Sequence, residues 1–341
     1  MMRFVRVFAG ALLALGAADA LAQGQVNIIC SVPMTWCQAV GAAFTKETGI
    51  TVGIQNKSSG EAMAQILAER ANPKLDVFYT GTGDPHLQAA EMGLTEEYKS
   101  PQLPQLHDWA VRQAEAGKFR TVGVYSGALG IAYNPELLAK KNLPPPKCWA
   151  DLANPIYKDE VQMANPNSSG TAYATLATFV QVFGEDKAFE LLKGMHKNTN
   201  SYPRAGAGPV RAVARGETAI AVTFLHDGVT EITAGFPVKL VVPCEGTGYE
   251  VGSMSIVKGA KNLENAKKFY EFALTPAAQK IGGELKNFQT PSNKATPPPP
   301  GAPDLGQIKL INYDFVKYGG ATERKRILEK WDQEVYAIPR G

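Results

Sequence analysis

The residues with the most evident chemistry are His226-Asp227, adjacent in the chain at the end of an apolar stretch. An imidazole both donates and accepts hydrogen bonds, and a carboxylate accepts them, so the pair suits a ligand rich in hydroxyl groups. Glu245 and Glu250 flank Gly246-Thr247-Gly248-Tyr249. One of these glutamates could join such a site and the other sit on a turn. A second set of residues is small and polar: Ser31 to Thr35, Lys57-Ser58-Ser59-Gly60, Thr80-Gly81-Thr82-Gly83 and Asn167-Ser168-Ser169-Gly170-Thr171. Several of these precede a predicted helix. The start of a helix presents unbonded N–H groups and the positive end of the macrodipole, so it attracts anions, and hydroxyls extend the cradle without a metal. Any one loop also reads as ordinary helix capping. Recurrence at successive strand ends is what points to a site.

Motifs of catalysis are missing. There is no GxSxG elbow, no HExxH and no Walker loop, and Gly81-Thr82-Gly83 lacks the third glycine of a dinucleotide fingerprint. His86 and His107 lie beside Asp84 and Asp108, and His196 falls late in an amphipathic helix; all three read as solvated. A hydrolase using His226 and Asp227 as acid and base would need a nucleophile or metal that the sequence does not offer. The four cysteines, Cys30, Cys37, Cys148 and Cys244, lack CxxC spacing and nearby histidines, which argues against a metal site. The seven-residue spacing of Cys30 and Cys37 suits a staple from a strand end to a helix, which leaves Cys148 to pair with Cys244.

The elements that must position these groups alternate between strand and helix. Strands are expected at 26–29, 50–54, 75–79, 161–164, 219–225, 238–242 and 251–257, with a long extended stretch at 122–133 broken at Ser126-Gly127. Helices are expected at 36–46, 61–70, 86–92, 135–141, 171–183, 185–197, 210–215, 263–274, 276–285 and 322–334. This alternation predicts a parallel, doubly wound α/β sheet, in which ligands bind beyond the carboxyl ends of the strands. In that frame the His226-Asp227 pair closes the strand 219–225. Residues 295–303 hold five prolines and read as an extended linker.

Composition narrows the class. The chain has 341 residues, of which 45% are hydrophobic and 20% charged, enough for two domains. The net charge of +3 is spread along the chain, so a nucleic-acid partner is not expected. Arg3 and Arg6, the apolar run Val7 to Leu15 and Ala20-Leu21-Ala22 form a secretory signal with cleavage after Ala22. The run is shorter than the roughly 20 residues that span a bilayer, and no cysteine follows the cleavage point to carry a lipid. An exported, periplasmic protein is expected, and export permits disulfides.

Five segments taken together, SSGEAMAQILAERANPKLDVFYTGTGDPHLQAA, SGALGIAYNPELL, NPNSSGTAYATLATF, FLHDGV and PCEGTGYEVGSMSIVKGA, resemble the periplasmic solute-binding proteins of ABC transporters. Within these they resemble the ferric-iron-transporter-like branch of the type II fold, and most closely its hexose-phosphate-binding subgroup. The resemblance implies two α/β lobes, 23–125 plus 252–290 and 126–251 plus 291–341. Hinge strands would cross near Ser126 to Ala132 and Tyr249 to Ser255, with an interlobe ligand cleft. It also implies that His226, Asp227 and Glu250 hold sugar hydroxyls and that Ser58, Ser59, Thr80, Thr82, Ser169 and Thr171 hold a phosphate, with Ser31, Thr35 and Trp36 as additions. Trp36 offers a ring face to a sugar, or simply packs beside Cys37. Iron-binding relatives use neighbouring tyrosines; this chain has 12 Tyr and no Tyr-Tyr pair, and nothing in the spacing of Tyr202 and Tyr249 says that they converge in space. The expected ligand order is sugar phosphate, then another organophosphate or phosphonate, then ferric iron. The expected partner is an inner-membrane ABC permease served by a monomer without a cofactor, and neither catalytic residues nor a resident metal are expected. A sensory role reporting to a membrane receptor is not separable from transport at this level.

Overall fold

The computed structural model describes residues 24–340, so the expected signal segment 1–22 lies outside the described residues. Ten strands are present among them: β1 (Gln25–Cys30), β2 (Thr51–Asn56), β3 (Val77–Tyr79), β4 (Val122–Tyr133), β5 (Val161–Gln162), β6 (Thr199–Ser201), β7 (Ile220–Phe224), β8 (Lys239–Val241), β9 (Tyr249–Ile256) and β10 (Thr290–Pro291). They run in the order β2-β1-β3-β9-β4-β7-β5-β6, with β8 and β10 also on β4.

β4 divides the molecule. Its first half pairs antiparallel with β9, and Tyr125 and Ser126 also with β10. Its second half, Leu129 to Tyr133, pairs antiparallel with β7 and β8. The sheet is therefore mixed rather than purely parallel: β1, β2 and β3 form a parallel set in one lobe, and β5, β6 and β7 in the other. The break expected at Ser126-Gly127 does not occur. One 12-residue strand carries the chain through both lobes.

Each lobe has its own apolar core. In the first, Val26, Ile28 and Cys30 of β1 pack with Trp36, Val40 and Phe44 of the helix Met34–Thr48 and with Phe269 and Tyr270. That helix stops at Gly49, whose φ of 73° favours glycine, and the Gly49 N–H donates to Thr45 O. In the second, Tyr173 and Phe179 of the helix Gly170–Phe183 pack with Trp149, Phe189 and Trp331. Each such side chain, fully withdrawn from water, contributes roughly 1.5–3 kcal/mol before entropy is counted. Both disulfides pair as the spacing predicts: Cys30–Cys37 joins the end of β1 to the following helix, and Cys148–Cys244 closes a separation of 96 residues.

The C-terminal region bridges the lobes. Ser292 N–H donates to Val124 O and Lys294 N–H to Gln105 O, so this stretch stays on the first lobe; Thr247 N–H then donates to Lys309 O on the second. Farther on, the Tyr313 hydroxyl donates to Asp84 Oδ1 at 3.3 Å. Among the described residues no helix is long and apolar enough to cross a membrane.

Candidate functional site

A polar cleft with a cavity volume of about 170 Å³ lies between the lobes. From the first lobe it receives Ser31 after β1, Lys57, Ser58 and Ser59 after β2, and Gly81 and Thr82 after β3. These are carboxyl ends of parallel strands, as the α/β rule requires. Ser58 is the N-cap of the helix Ser59–Ala68. Its single hydroxyl proton is shared between Glu61 Oε2 and Ser168 O, both 2.8 Å away. Ser59 Oγ accepts from Thr82 N–H at 3.2 Å, tying two loops together. The hydroxyl oxygens of Ser31 and Thr82 are sealed from solvent and have no partner.

From the second lobe come Ser169, Gly170 and Thr171 at the start of the helix Gly170–Phe183. Ser169 caps that helix by accepting from Ala172 N–H at 3.3 Å, while the N–H groups of Gly170 and Thr171 stand in the first turn, where no intrahelical acceptor exists. Arg211 and the loop Ala205-Gly206-Ala207 complete this wall.

His226, Asp227 and Glu250 form the third side. The strand β7 ends at Phe224, and His226 and Asp227 stand in the first turn of the helix Leu225–Thr233, not at a strand end as expected. His226 Nε2 lies 3.7 Å from both Asp227 Oδ1 and Glu250 Oε1. Phe224 stacks on the imidazole at 5.2 Å, and Nδ1 is sealed without a partner. Gly127 of β4 makes this arrangement possible, because a Cβ there would collide with His226 Nδ1.

Burial sets the protonation of this trio. It lowers the His226 pKa to about 3, so the ring is neutral near pH 7. It lifts Asp227 to about 6, against the opposing pull of Arg211. Burial, with the nearby Asp227 and Asp84 carboxylates, pushes Glu250 well above the usual carboxylate range. The trio thus offers a neutral imidazole and two carboxyls that burial makes readier to hold a proton, a set that hydroxyl groups can match. Lys57 and Arg211 supply positive charge to the same cleft.

Nine of the twelve expected ligand residues line the cleft: Ser31, Ser58, Ser59, Thr82, Ser169, Thr171, His226, Asp227 and Glu250. Three do not. Thr35 is exposed on the surface of its helix. Thr80 adopts φ 64°, rare for a branched side chain, and its buried hydroxyl donates to Tyr79 O at 2.5 Å and accepts from Ser31 N–H. Trp36 is 4% exposed in the first core, 5.8 Å from the Tyr125 ring, so it packs rather than facing the cleft. Glu245 caps a turn by accepting from Trp149 and Ala150 N–H.

The structure also brings in residues that sequence reasoning did not select: Asn56, Lys57, Tyr125, Arg211 and Gln289. Lys57 was legible in its Ser-Ser-Gly context; Tyr125 and Gln289 had no local signal. His86 is not solvated: it is fully buried, so Nε2 donates to Thr80 O at 3.1 Å and Nδ1 accepts from the Ser255 hydroxyl at 2.9 Å. His196 is buried as well, bonded to Tyr202 and Ile338 O. Tyr202 is spent on that contact and Tyr249 packs on Tyr313 and Phe315, so the two do not converge at the cleft.

Two α/β lobes, strands that pass between them and a polar cleft at the crossing define a solute-binding protein of the type II periplasmic fold. The chain belongs to the bacterial extracellular solute-binding protein family, whose model matches residues 72–318. Proteins of this family bind small molecules and deliver them to ABC permeases. An uncharacterized protein of Haemophilus influenzae is 44% identical over 330 residues, 95% of each chain. The structure of the periplasmic binding protein AfuA from Actinobacillus pleuropneumoniae, with exogenous fructose 6-phosphate bound, matches with a TM-score of 0.90 and 43% identity, covering 93% of this chain and 100% of that one. A putative 2-aminoethylphosphonate-binding periplasmic protein of Salmonella typhimurium is 29% identical over 262 residues, 74% of this chain and 72% of the relative.

Proposed function

We propose that the cleft binds a small phosphorylated solute, most closely a hexose phosphate, and that the protein delivers it as a monomer to an inner-membrane ABC permease after residues 1–22 are removed in export. The observation that carries this reading is the opposition of two kinds of wall. His226, Asp227 and Glu250 match sugar hydroxyls, while Ser59, Thr82, Ser169 and Thr171, with helix N–H groups and Lys57, match a phosphate. The bound fructose 6-phosphate of the similar AfuA structure supports the same assignment. The lobe division we propose is 23–125 with 252–290 against 126–251 with 291–341, hinged in β4 and β9 and amended at Ser292–Lys294, whose backbone bonds are to the first lobe.

Calorimetry with fructose 6-phosphate, glucose 6-phosphate, glucose, inorganic phosphate and ferric citrate tests the reading. Sugar phosphates should bind and glucose should not; heat with ferric citrate alone would overturn it. His226→Ala should weaken sugar-phosphate binding about tenfold, since leaving a buried hydroxyl without its partner costs about 1–3 kcal/mol. Incubation with a phosphate ester should give stoichiometric binding without steady release of inorganic phosphate. A 2-aminoethylphosphonate ligand is the second reading, favoured by the paired Asp227 and Glu250 carboxyls, which an ammonium group could also satisfy.

A further inference from the structure

Behind the ligand cleft lies a second, much smaller cavity of about 10 Å³. Gln289 and Tyr125 line both spaces. Gln289 precedes β10, whose Thr290 pairs with Ser126 of β4, so the backbone places it across β4 from Glu250, and both line the cleft. It is 7% exposed, yet its Oε1 is sealed from solvent with no partner. Trp36 also lines the small cavity and has a sealed and unpartnered Nε1.

The other amides around this cavity are already committed. Gln279 donates from Nε2 to Ser292 Oγ and accepts at Oε1 from Asn293 N–H, both at 2.8 Å. Asn287 Nδ2 donates to Gly282 O at 3.2 Å. What remains is one orphan donor, the Trp36 indole N–H, and one orphan acceptor, Gln289 Oε1. Buried polar groups in native proteins are rarely left so, and a space of this size, on the order of 10–15 Å³, holds one water.

We propose that Gln289 is a specificity-determining residue of the cleft, its Nε2 donating to a ligand oxygen, and that Trp36 positions it through a water held between the indole N–H and Gln289 Oε1. With the carboxamide oxygen turned to the small cavity, the two N–H bonds face the ligand. A fixed donor in the cleft discriminates between solutes by where they carry an oxygen, and a solute lacking it leaves the amide unpaired. The assignment of the ligand atom rests on the sugar-phosphate reading; the coupling of Trp36 to Gln289 does not.

Four proteins test this: wild type, Gln289→Glu, which keeps the shape and loses the donors, Gln289→Leu, and Trp36→Phe, which keeps a ring and loses the N–H. Calorimetry would use fructose 6-phosphate, glucose 6-phosphate, 2-aminoethylphosphonate, ferric citrate and inorganic phosphate, with thermal midpoints as a check on folding. Both Gln289 variants should lose about tenfold or more for the sugar phosphates and leave inorganic phosphate unchanged. Trp36→Phe should shift the same ratio in the same direction, and combining it with Gln289→Leu should add nothing further. Unchanged selectivity in both Gln289 variants overturns the proposal, as does full additivity with Trp36→Phe. If wild type binds no sugar phosphate, the functional reading fails, and the Gln289 and Trp36 variants are judged by the same criteria on the panel member that binds.

Discussion

Gly60, in the first turn of a first-lobe helix, donates its backbone N–H to the carbonyl of Ser168 in the second lobe at 3.1 Å. The bond joins the lobes next to the cleft-lining Ser59 and Ser169, and Arg204 and Glu61 form a second, ionic link between the lobes. One of the helix N–H groups that could face an anion is thus used for closure instead. The lobes are held together by backbone at the point where a solute would be enclosed.

Closure at this contact leaves no room for a side chain. A Cβ on Gly60 would sit 2.7 Å from Ser168 O and 2.9 Å from its carbonyl carbon, both backbone atoms. Gly60→Ala should keep the lobes apart and weaken binding of fructose 6-phosphate about tenfold or more, since overpacking costs about 1–3 kcal/mol. Small-angle scattering with ligand should show a larger radius of gyration than wild type. An equal radius and equal affinity would remove Gly60 from the closing contact.

Gly127 answers to His226 in the same way. Gly127→Ala must displace the imidazole from its stack on Phe224, so it should reproduce the loss of affinity of His226→Ala and lower stability by about 1–3 kcal/mol. A melting curve and a binding isotherm on the one variant check both halves.

Asp227 gives the cleft a pH dependence of fixed sign. Burial raises its carboxyl from 3.8 to about 6, so the ligand-free protein loses this contribution to stability as pH rises through about 6. Ligand hydroxyls that donate to the carboxylate pull its pKa down. Binding should therefore release protons near pH 6, and affinity should climb from pH 5 and level off above about 7. His226, neutral down to about pH 3, does not titrate in this window. Calorimetry in two buffers of different ionisation enthalpy measures the release. A phosphate ester titrates near 6 with the same sign, so the difference between wild type and Asp227→Asn isolates the side chain. An identical profile in both would refute the assignment.

The Cys148–Cys244 disulfide closes a sequence separation of 96 residues, and neither cysteine lines the cleft. Chain entropy alone assigns such a loop about 4–5 kcal/mol. Cys148→Ala with Cys244→Ala should lower the unfolding free energy in urea by about that amount while affinity for fructose 6-phosphate stays unchanged.

What the sequence revealed and what it hid divide along physical lines. The lobed α/β architecture, both disulfides and the polar strand ends were legible because periodicity, cysteine spacing and Ser-Gly turns are local signals. The position of His226 was misjudged by one element: Phe224-Leu225 continues the apolar pattern, and nothing local shows that the helix has already begun at Leu225. Thr80 was misjudged because a threonine at φ 64° is uncommon, and its hydroxyl is consumed by its own turn. The helix Asp108–Ala116 is not among those the sequence pattern predicts. Arg211 and Gln289 were invisible for another reason: each reaches the cleft only through packing of segments far from it in sequence.

The passage of β4 through both lobes has a consequence for how this molecule can change. Tyr125, whose hydroxyl accepts from Gly81 N–H, and Gly127, which admits His226, belong to one uninterrupted strand. Side chains alternate along a strand, so inserting or deleting one residue there would turn every later side chain to the opposite face. The loops at the strand ends can lengthen, shorten or exchange serine for another residue and still leave the lobes aligned. New ligand preferences can therefore arise at the walls of the cleft, while its spine must keep its length.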